Sequence, residues 1–166
     1  SNQSGELLIP AIEFLPSPNV GIAPAELKAK GDWRIFVSAT SEFGSDRVQA
    51  IAAHDAKSAQ EGTLGHVKAP GFPGSQAPRV TLINLEVEGH MSRLNRDVQT
   101  IGDEMVWLLD VSNGDGAVIS WQTVDVPADY DLRLVDLTSE RVIDLRQGAR
   151  IRLEGSAYNS RQYALN

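Results

Sequence analysis

The chain alternates apolar and polar residues over short runs that begin at Asp32. Trp33, Ile35 and Val37 stand at every second position. Successive side chains of a β-strand point to opposite faces, so this spacing predicts a strand with one buried face. A similar run at 80–88 predicts a strand whose buried face is formed by Thr81, Ile83, Leu85 and Val87. Further strands are predicted at residues 105–111, 117–126, 131–137, 141–145, 149–153 and 158–165, and residues 94–101 are predicted to form a strand or an arm.

Turn residues separate the apolar runs at 105–111 and 117–126. The segment Asn113-Gly-Asp-Gly116 lies between them. Asn, Asp and Gly reach positive φ at the lowest cost, and tight hairpin turns require positive φ at their central residues. The two runs are therefore predicted to pair with each other as a β-hairpin.

Three segments depart from the strand pattern. Residues 1–31 contain Pro10, Pro16, Pro18 and Pro24 and are predicted to form an N-terminal arm or strap. Residues 45–60 have Ser45 at a capping position and apolar residues near one helical face, which predicts a short helix. Residues 62–78 are rich in Gly and Pro and are predicted to form a loop.

Together these elements predict an all-β protein. The fold class is an antiparallel β-sandwich, immunoglobulin-like or jelly-roll-like, with a proline-rich N-terminal arm and at most one short helix. The arm occupies residues 1–31 and the sandwich domain residues 32–166. The predicted core consists of Trp33, Ile35, Val37, Ile83, Leu85, Val87, Trp107, Leu109, Val118, Leu132, Leu134, Val142, Ile151 and Tyr163.

Composition narrows the classes of function. The chain has 166 residues, 42% of them hydrophobic, which suits one globular domain. A net charge of −7 disfavours nucleic-acid binding, because phosphate contacts depend on clustered Lys and Arg. Cysteine is absent from the sequence, which excludes disulfides and thiolate chemistry. No apolar run approaches the ~20 residues that span a bilayer. Because the chain starts Ser1-Asn-Gln without Met, we expect a processed form or a piece of a longer protein.

The second half of the chain carries a recurring arrangement of motifs. They are Trp107-x-x-Asp-Val-Ser, Pro127-x-x-Tyr-x-Leu-x-Leu-Val-Asp-Leu137, Arg141-Val-Ile-Asp-Leu145 and Arg161-x-Tyr-Ala-Leu165. This arrangement resembles β-sandwich accessory domains of bacterial secreted and cell-surface proteins, which lie next to C-terminal sorting or anchoring regions. The resemblance implies an extracellular or cell-surface location and a role in spacing, docking or adhesion. It carries no catalytic signature.

Candidate metal and catalytic residues are few. Loop carboxylates of a sandwich can supply the oxygen ligands that calcium prefers. The calcium candidates are Asp46, Asp55, Glu61 and Asp103. The adjacent pair His54-Asp55 is the candidate for a small hydrolase site, although no histidine or glutamate stands at a helical ligand spacing from His54. Apart from calcium, the sequence indicates no cofactor.

Tryptophan is the candidate residue type for carbohydrate binding. Flat rings stack on sugars, but bulky aromatic side chains in alternating strands more often pack in a core. For Trp121 the pattern does not decide which face of the strand the side chain lies on, and Trp121 is the candidate ligand-binding residue.

Three functions remain open from the sequence. The first is a non-catalytic module of an exported bacterial protein, acting in adhesion, assembly, docking or spacing. Its partners would be other domains of a larger parent protein or a surface protein, contacted through strand edges and the 62–78 loop. The alternative is a carbohydrate-binding module attached to a glycan-degrading enzyme, and the third is a hydrolase using His54 and Asp55.

Overall fold

The computed structural model describes residues 31–55, 67–85, 91–148, 150–153 and 161–165. These ranges contain strands and no helix. The strands are β1 (Trp33–Ser41), β2 (Gly44–Ala53), β3 (Arg79–Leu85), β4 (Met91–Leu94), β5 (Arg96–Thr100), β6 (Trp107–Ser112), β7 (Val118–Val124), β8 (Arg133–Asp136), β9 (Val142–Asp144), β10 (Arg150–Arg152) and β11 (Arg161–Leu165).

The strands form two sheets. The first sheet has the order β10-β7-β1-β2-β5, and the second has the order β4-β3-β6-β11-β8-β9. Neighbouring strands are antiparallel except for β2 and β5, which run parallel. The predicted all-β sandwich is therefore confirmed. The predicted arm at 1–31 lies outside the described residues apart from Gly31.

The core lies between the two sheets. Trp33 of the first sheet and Trp107 of the second meet edge to face, with ring centroids 5.8 Å apart. Nine predicted core residues are buried: Trp33, Ile35, Val37, Ile83, Trp107, Leu109, Leu132, Leu134 and Tyr163. Val118 and Ile151 are half-buried. The prediction that Val142 belongs to the core is wrong, because this residue is 58% exposed on the edge strand β9. The side chains of Leu85 and Val87 lie outside the described residues.

The predicted orientation of β3 is corrected by the structure. Val80 and Leu82 belong to the core between the sheets, whereas Ile83 is buried without belonging to that cluster. Thr81 is also buried, so both faces of this strand are covered. A strand covered on both faces shows apolar residues at odd and even positions, and alternation then fails to identify the core-facing set.

The predicted hairpin at Asn113–Gly116 is wrong. β6 pairs with β3 and β11 in the second sheet, whereas β7 pairs with β1 and β10 in the first. The connection thus crosses from one sheet to the other. Of its four turn residues, Asn113 and Gly116 have the predicted positive φ, at 52° and 68°, whereas Gly114 and Asp115 do not. The crossing connects the two layers of the sandwich directly.

The predicted helix at 45–60 is wrong over its described part. Residues 44–53 form β2, whose residues 44–52 pair with β1. Val48 and Ala50 face the core, while Ile51 and Ala53 pack with Val98 of β5 in a second small cluster. Because both faces of β2 are buried, its apolar residues occupy consecutive positions and mimic a helical face. Residues 56–60 of the prediction lie outside the described residues.

Candidate functional site

A cleft of about 480 Å³ opens at the end of the sandwich where β1, β6 and β8 begin. It lies between two connections, β5 to β6 and β7 to β8. Buried apolar side chains of Ile35, Met105, Leu132 and Leu165 contribute to its lining. Its volume is within the range of small-ligand pockets, about 300–1,000 Å³.

Three aromatic rings line the cleft and pack on one another. Trp33 lies 5.8 Å from Trp107 and 5.5 Å from Tyr130, measured between ring centroids. The Tyr130 hydroxyl donates to the Gly102 carbonyl at 3.1 Å and so ties the two bordering connections together. Both tryptophans are buried, and within the described ranges neither indole N–H has a hydrogen-bond acceptor.

The rim of the cleft is acidic. Asp103 and Glu104 come from one connection, and Asp129 and Asp131 from the other. The single basic lining residue is Arg133, whose guanidinium lies 3.0 Å from Asp131. Among the described residues, the other three carboxylates have no ion-pair partner. The cleft therefore combines an aromatic lining with an excess of negative charge.

The opposite end of the sandwich presents an uncharged loop. Residues 69–77 carry no charged side chain, and Phe72 within them is 90% exposed. Pro73 and Gly74 occupy the centre of a turn closed by a hydrogen bond of 3.1 Å from the Ser75 amide to the Phe72 carbonyl. Gly74 has a φ of 76°, which fits the third residue of a type II turn. The turn is thus locally ordered despite its exposure.

Several groups fix this loop to the sandwich. The Asn113 side-chain amide donates to the Ser75 and Ala77 carbonyls at 3.0 and 3.2 Å. The Arg79 guanidinium donates to the Ala69 carbonyl, and the Lys68 amide donates to the Arg93 carbonyl at 2.8 Å. The loop is therefore held by contacts from β3, from β4 and from the connection between β6 and β7.

A second exposed aromatic residue lies at the same end. Phe43 is 57% exposed in the turn between β1 and β2. The neighbouring Gly44 lies against the loop, because a Cβ at this position would stand 3.3 Å from the Cβ of Ala77. Phe43 and Phe72 thus stand on adjacent turns at one end of the sandwich.

Lys68 is an internal anchor at the start of the loop. Its side chain is 9% exposed, and its ammonium lies 2.6 Å from an oxygen of Asp46. It also donates to the Val80 carbonyl at 2.5 Å and to the Arg47 carbonyl at 3.4 Å. Burial lowers the pKa of Lys68, and Asp46 opposes that shift by stabilising the charged form.

The described calcium candidates, Asp46, Asp55 and Asp103, do not form a group of three. Asp46 accepts hydrogen bonds from the backbone amides of Arg47 and Val80, both at 2.9 Å, in addition to its pairing with Lys68. Asp55 lies just beyond the end of β2, and Asp103 lies on the cleft rim. Glu61 is outside the described residues. Within the described ranges, no three His, Cys, Asp or Glu side chains are grouped so that they could hold a metal.

His54 contacts Asp32, which precedes the first residue of β1. Its backbone amide donates to Asp32 at 3.0 Å, and its Nδ1 lies 3.3 Å from the same carboxylate oxygen. The imidazole is 62% exposed at the end of β2, next to the start of β1. These contacts join the ends of two paired strands. Asp55 is exposed beside it.

Trp121 is placed inside the molecule. Its side chain is 6% exposed, and its indole N–H donates to the Leu145 carbonyl at 2.8 Å. A buried and hydrogen-bonded ring has no free face for a sugar. The position of Trp121 therefore matches a core residue and not a ligand-binding residue.

Sequence reasoning singled out Asp103 but missed the cleft around it. Tyr130 sits between Asp129 and Asp131, and this run is the signal in the sequence. The partner run Asp103-Glu104 lies more than twenty positions earlier, and only the fold brings the two runs together.

Comparison of the chain with protein-family models, with curated proteins and with solved structures finds no match. The described part of the chain contains no helix with the length and apolar character needed to cross a membrane.

Proposed function

We propose that this domain is a non-catalytic docking module of an exported bacterial protein, acting in adhesion, assembly or spacing at the cell surface. The observation that carries the proposal is the ordered, uncharged loop that holds Phe72 at 90% exposure. Its partner would be another domain of a larger parent protein or a separate surface protein.

The energetics of association favour such a loop as a contact surface. An aromatic side chain exposed in the free domain gains free energy when a partner removes it from water. The turn at Pro73 and Gly74 and the Asn113 hydrogen bonds order the loop in advance, so less conformational entropy is lost on binding. Phe43 on the adjacent turn extends the apolar contact.

The other two functions have weaker support. The hydrolase hypothesis relied on His54 and Asp55, and His54 is engaged in joining the ends of β1 and β2. The carbohydrate-binding alternative relied on Trp121, which is buried. Among the described residues, the aromatic side chains left for a glycan to contact include those of the cleft and the exposed Phe43 and Phe72.

The proposal is tested by photo-crosslinking from position 72. The full parent protein carries p-benzoylphenylalanine in place of Phe72, with Val142 replaced in a matched control because it is also exposed. We expect a crosslink to one defined partner from position 72 and none from position 142. An excess of unlabelled wild-type domain should suppress an intermolecular crosslink, whereas the Phe72→Ser domain should not.

Two outcomes would contradict docking through this loop. One is the absence of a crosslink from position 72. The other is a product of equal yield and identity from both positions, because a random encounter does not depend on which exposed residue carries the probe.

A further inference from the structure

We infer that the cleft binds a guanidinium group, the side chain of an arginine on a peptide segment of a partner. This site lies at the opposite end of the sandwich from Phe72 and goes beyond the docking function proposed for that loop. The inference is carried by the charge of the rim and the aromatic lining.

The rim charge selects a cation. Four carboxylates and one guanidinium line the cleft, and Arg133 is already paired with Asp131. Asp103, Glu104 and Asp129 have no ion-pair partner in the described part of the chain. Two of these carboxylates come from one side of the cleft and the third from the other, so a positive group placed between them is attracted from both sides.

The same arrangement favours an organic cation over a metal ion. A calcium site requires several oxygen ligands converging on one point at about 2.3–2.6 Å. No grouping of that kind occurs among the described residues. A planar guanidinium can instead donate hydrogen bonds to separated carboxylates along its edges and lie against aromatic rings, such as that of Tyr130.

Two buried indoles border the cleft and report on its surroundings. Trp33 and Trp107 are 3% and 2% exposed, and both line the cleft. Neither N–H has an acceptor within the described ranges, and a buried donor left without one is costly. Both nitrogen atoms are enclosed by protein, so a ligand in the cleft changes their surroundings without accepting a hydrogen bond from them.

The experiment is an NMR titration of the whole domain with N-acetyl-arginine-N-methylamide. The indole N–H signals of Trp33 and Trp107 report on the cleft. The Trp121 signal is an internal control, because this indole lies outside the cleft and donates to the Leu145 carbonyl. We expect saturable shifts of the Trp33 and Trp107 signals and none of Trp121. Raising the salt from about 0.01 M to about 0.1 M shortens the screening length from about 30 Å to about 10 Å and should weaken binding.

Charge-neutral variants test the rim. The Glu104→Gln/Asp129→Asn double variant should weaken binding by about three-fold or more, as expected for two exposed ionic contacts. The matched control, Glu42→Gln/Asp115→Asn, removes the same charge from turns at the far end and should bind as the wild type does. Phe72→Ser should leave the titration unchanged, which separates this inference from the docking proposal.

Three results would overturn the inference. One is the absence of indole shifts, and another is an equal response to N-acetyl-norvaline-N-methylamide, which lacks the guanidinium. The third is saturable binding of calcium chloride or a neutral oligosaccharide at these same indoles, which would assign the cleft to a different ligand.

Discussion

The ammonium group of Lys68 is enclosed by three oxygen atoms and has little contact with solvent. Burial lowers the pKa of Lys68 in the folded protein relative to the unfolded chain, where lysine has a pKa of about 10.4. Below the lowered pKa both states are protonated, and the cost of enclosing the charge is present in full. As pH rises between the two pKa values, the unfolded state holds more protons, so the free energy of unfolding increases.

Replacing Lys68 by Met should remove this pH dependence. We expect the free energy of unfolding of the wild type, minus that of Lys68→Met, to rise between pH 7 and about pH 10.4. Urea denaturation of both proteins across this range measures the difference. If this difference in the free energy of unfolding stays constant or falls as the pH rises, burial does not lower the pKa of Lys68.

The buried tryptophans differ in one hydrogen bond. Trp121 donates to the Leu145 carbonyl at 2.8 Å, whereas the Trp107 N–H has no acceptor among the described residues. Trp121→Phe should therefore lower the free energy of unfolding by about 1 kcal/mol more than Trp107→Phe, because only the first leaves a buried carbonyl without its donor. Urea denaturation of the two variants makes the comparison, and equal losses would refute it.

Turn chemistry predicts backbone conformation better than it predicts strand pairing. The sequence pattern correctly indicates positive φ at Asn113 and Gly116, because this preference belongs to the residue itself. Whether the flanking strands pair with each other depends on which sheet each one joins, and that is decided by distant partners. β6 finds β3 and β11, while β7 finds β1 and β10.

Asn113 serves two roles in this connection, and two substitutions separate them. Asn113→Gly keeps the positive φ and loses the hydrogen bonds to Ser75 and Ala77, so it should lower the free energy of unfolding by about 1 kcal/mol. Asn113→Ala loses the same hydrogen bonds and also places alanine, which disfavours the left-handed region, at this position. It should therefore lower the free energy of unfolding by about 1–2 kcal/mol more. Urea denaturation measures both losses.

Amide exchange supplies an independent check on the loop. Exchange at the Ser75 amide, which closes the turn onto Phe72, should accelerate in both Asn113 variants. An unchanged exchange rate would mean that Asn113 does not order the loop. A destabilisation equal in the two variants would mean that the positive φ of Asn113 costs alanine nothing.

A two-residue alternation of apolar positions identifies strands that have one face towards solvent. β1 was predicted correctly because Trp33, Ile35 and Val37 are buried and the residues between them are half-buried. β2 was mistaken for a helix because it is buried on both faces, and short apolar runs of that kind do not reveal their period. The cleft could be predicted only in part, since the contact of Tyr130 with Gly102 that assembles it is not visible in either run alone.

The two sheets form a single structural unit through their shared core. Buried residues from both sheets belong to one continuous cluster, with Trp33 and Trp107 in contact across the layers. The crossing between β6 and β7 adds a covalent link between the same layers. The sheets therefore should not unfold independently, because separating them exposes apolar surface on both.

This arrangement predicts a single cooperative unfolding transition. The three tryptophans are all buried, Trp33 and Trp121 in the first sheet and Trp107 in the second, so their fluorescence reports on both layers. During urea denaturation, tryptophan fluorescence and far-ultraviolet circular dichroism should change together with one midpoint, as two-state unfolding requires. Trp107→Phe, which leaves fluorescence from the first sheet alone, should keep the two midpoints coincident at a lower urea concentration. A fluorescence transition that precedes the loss of strand signal, in either protein, would show that one sheet loosens before the other and that the shared core does not couple them.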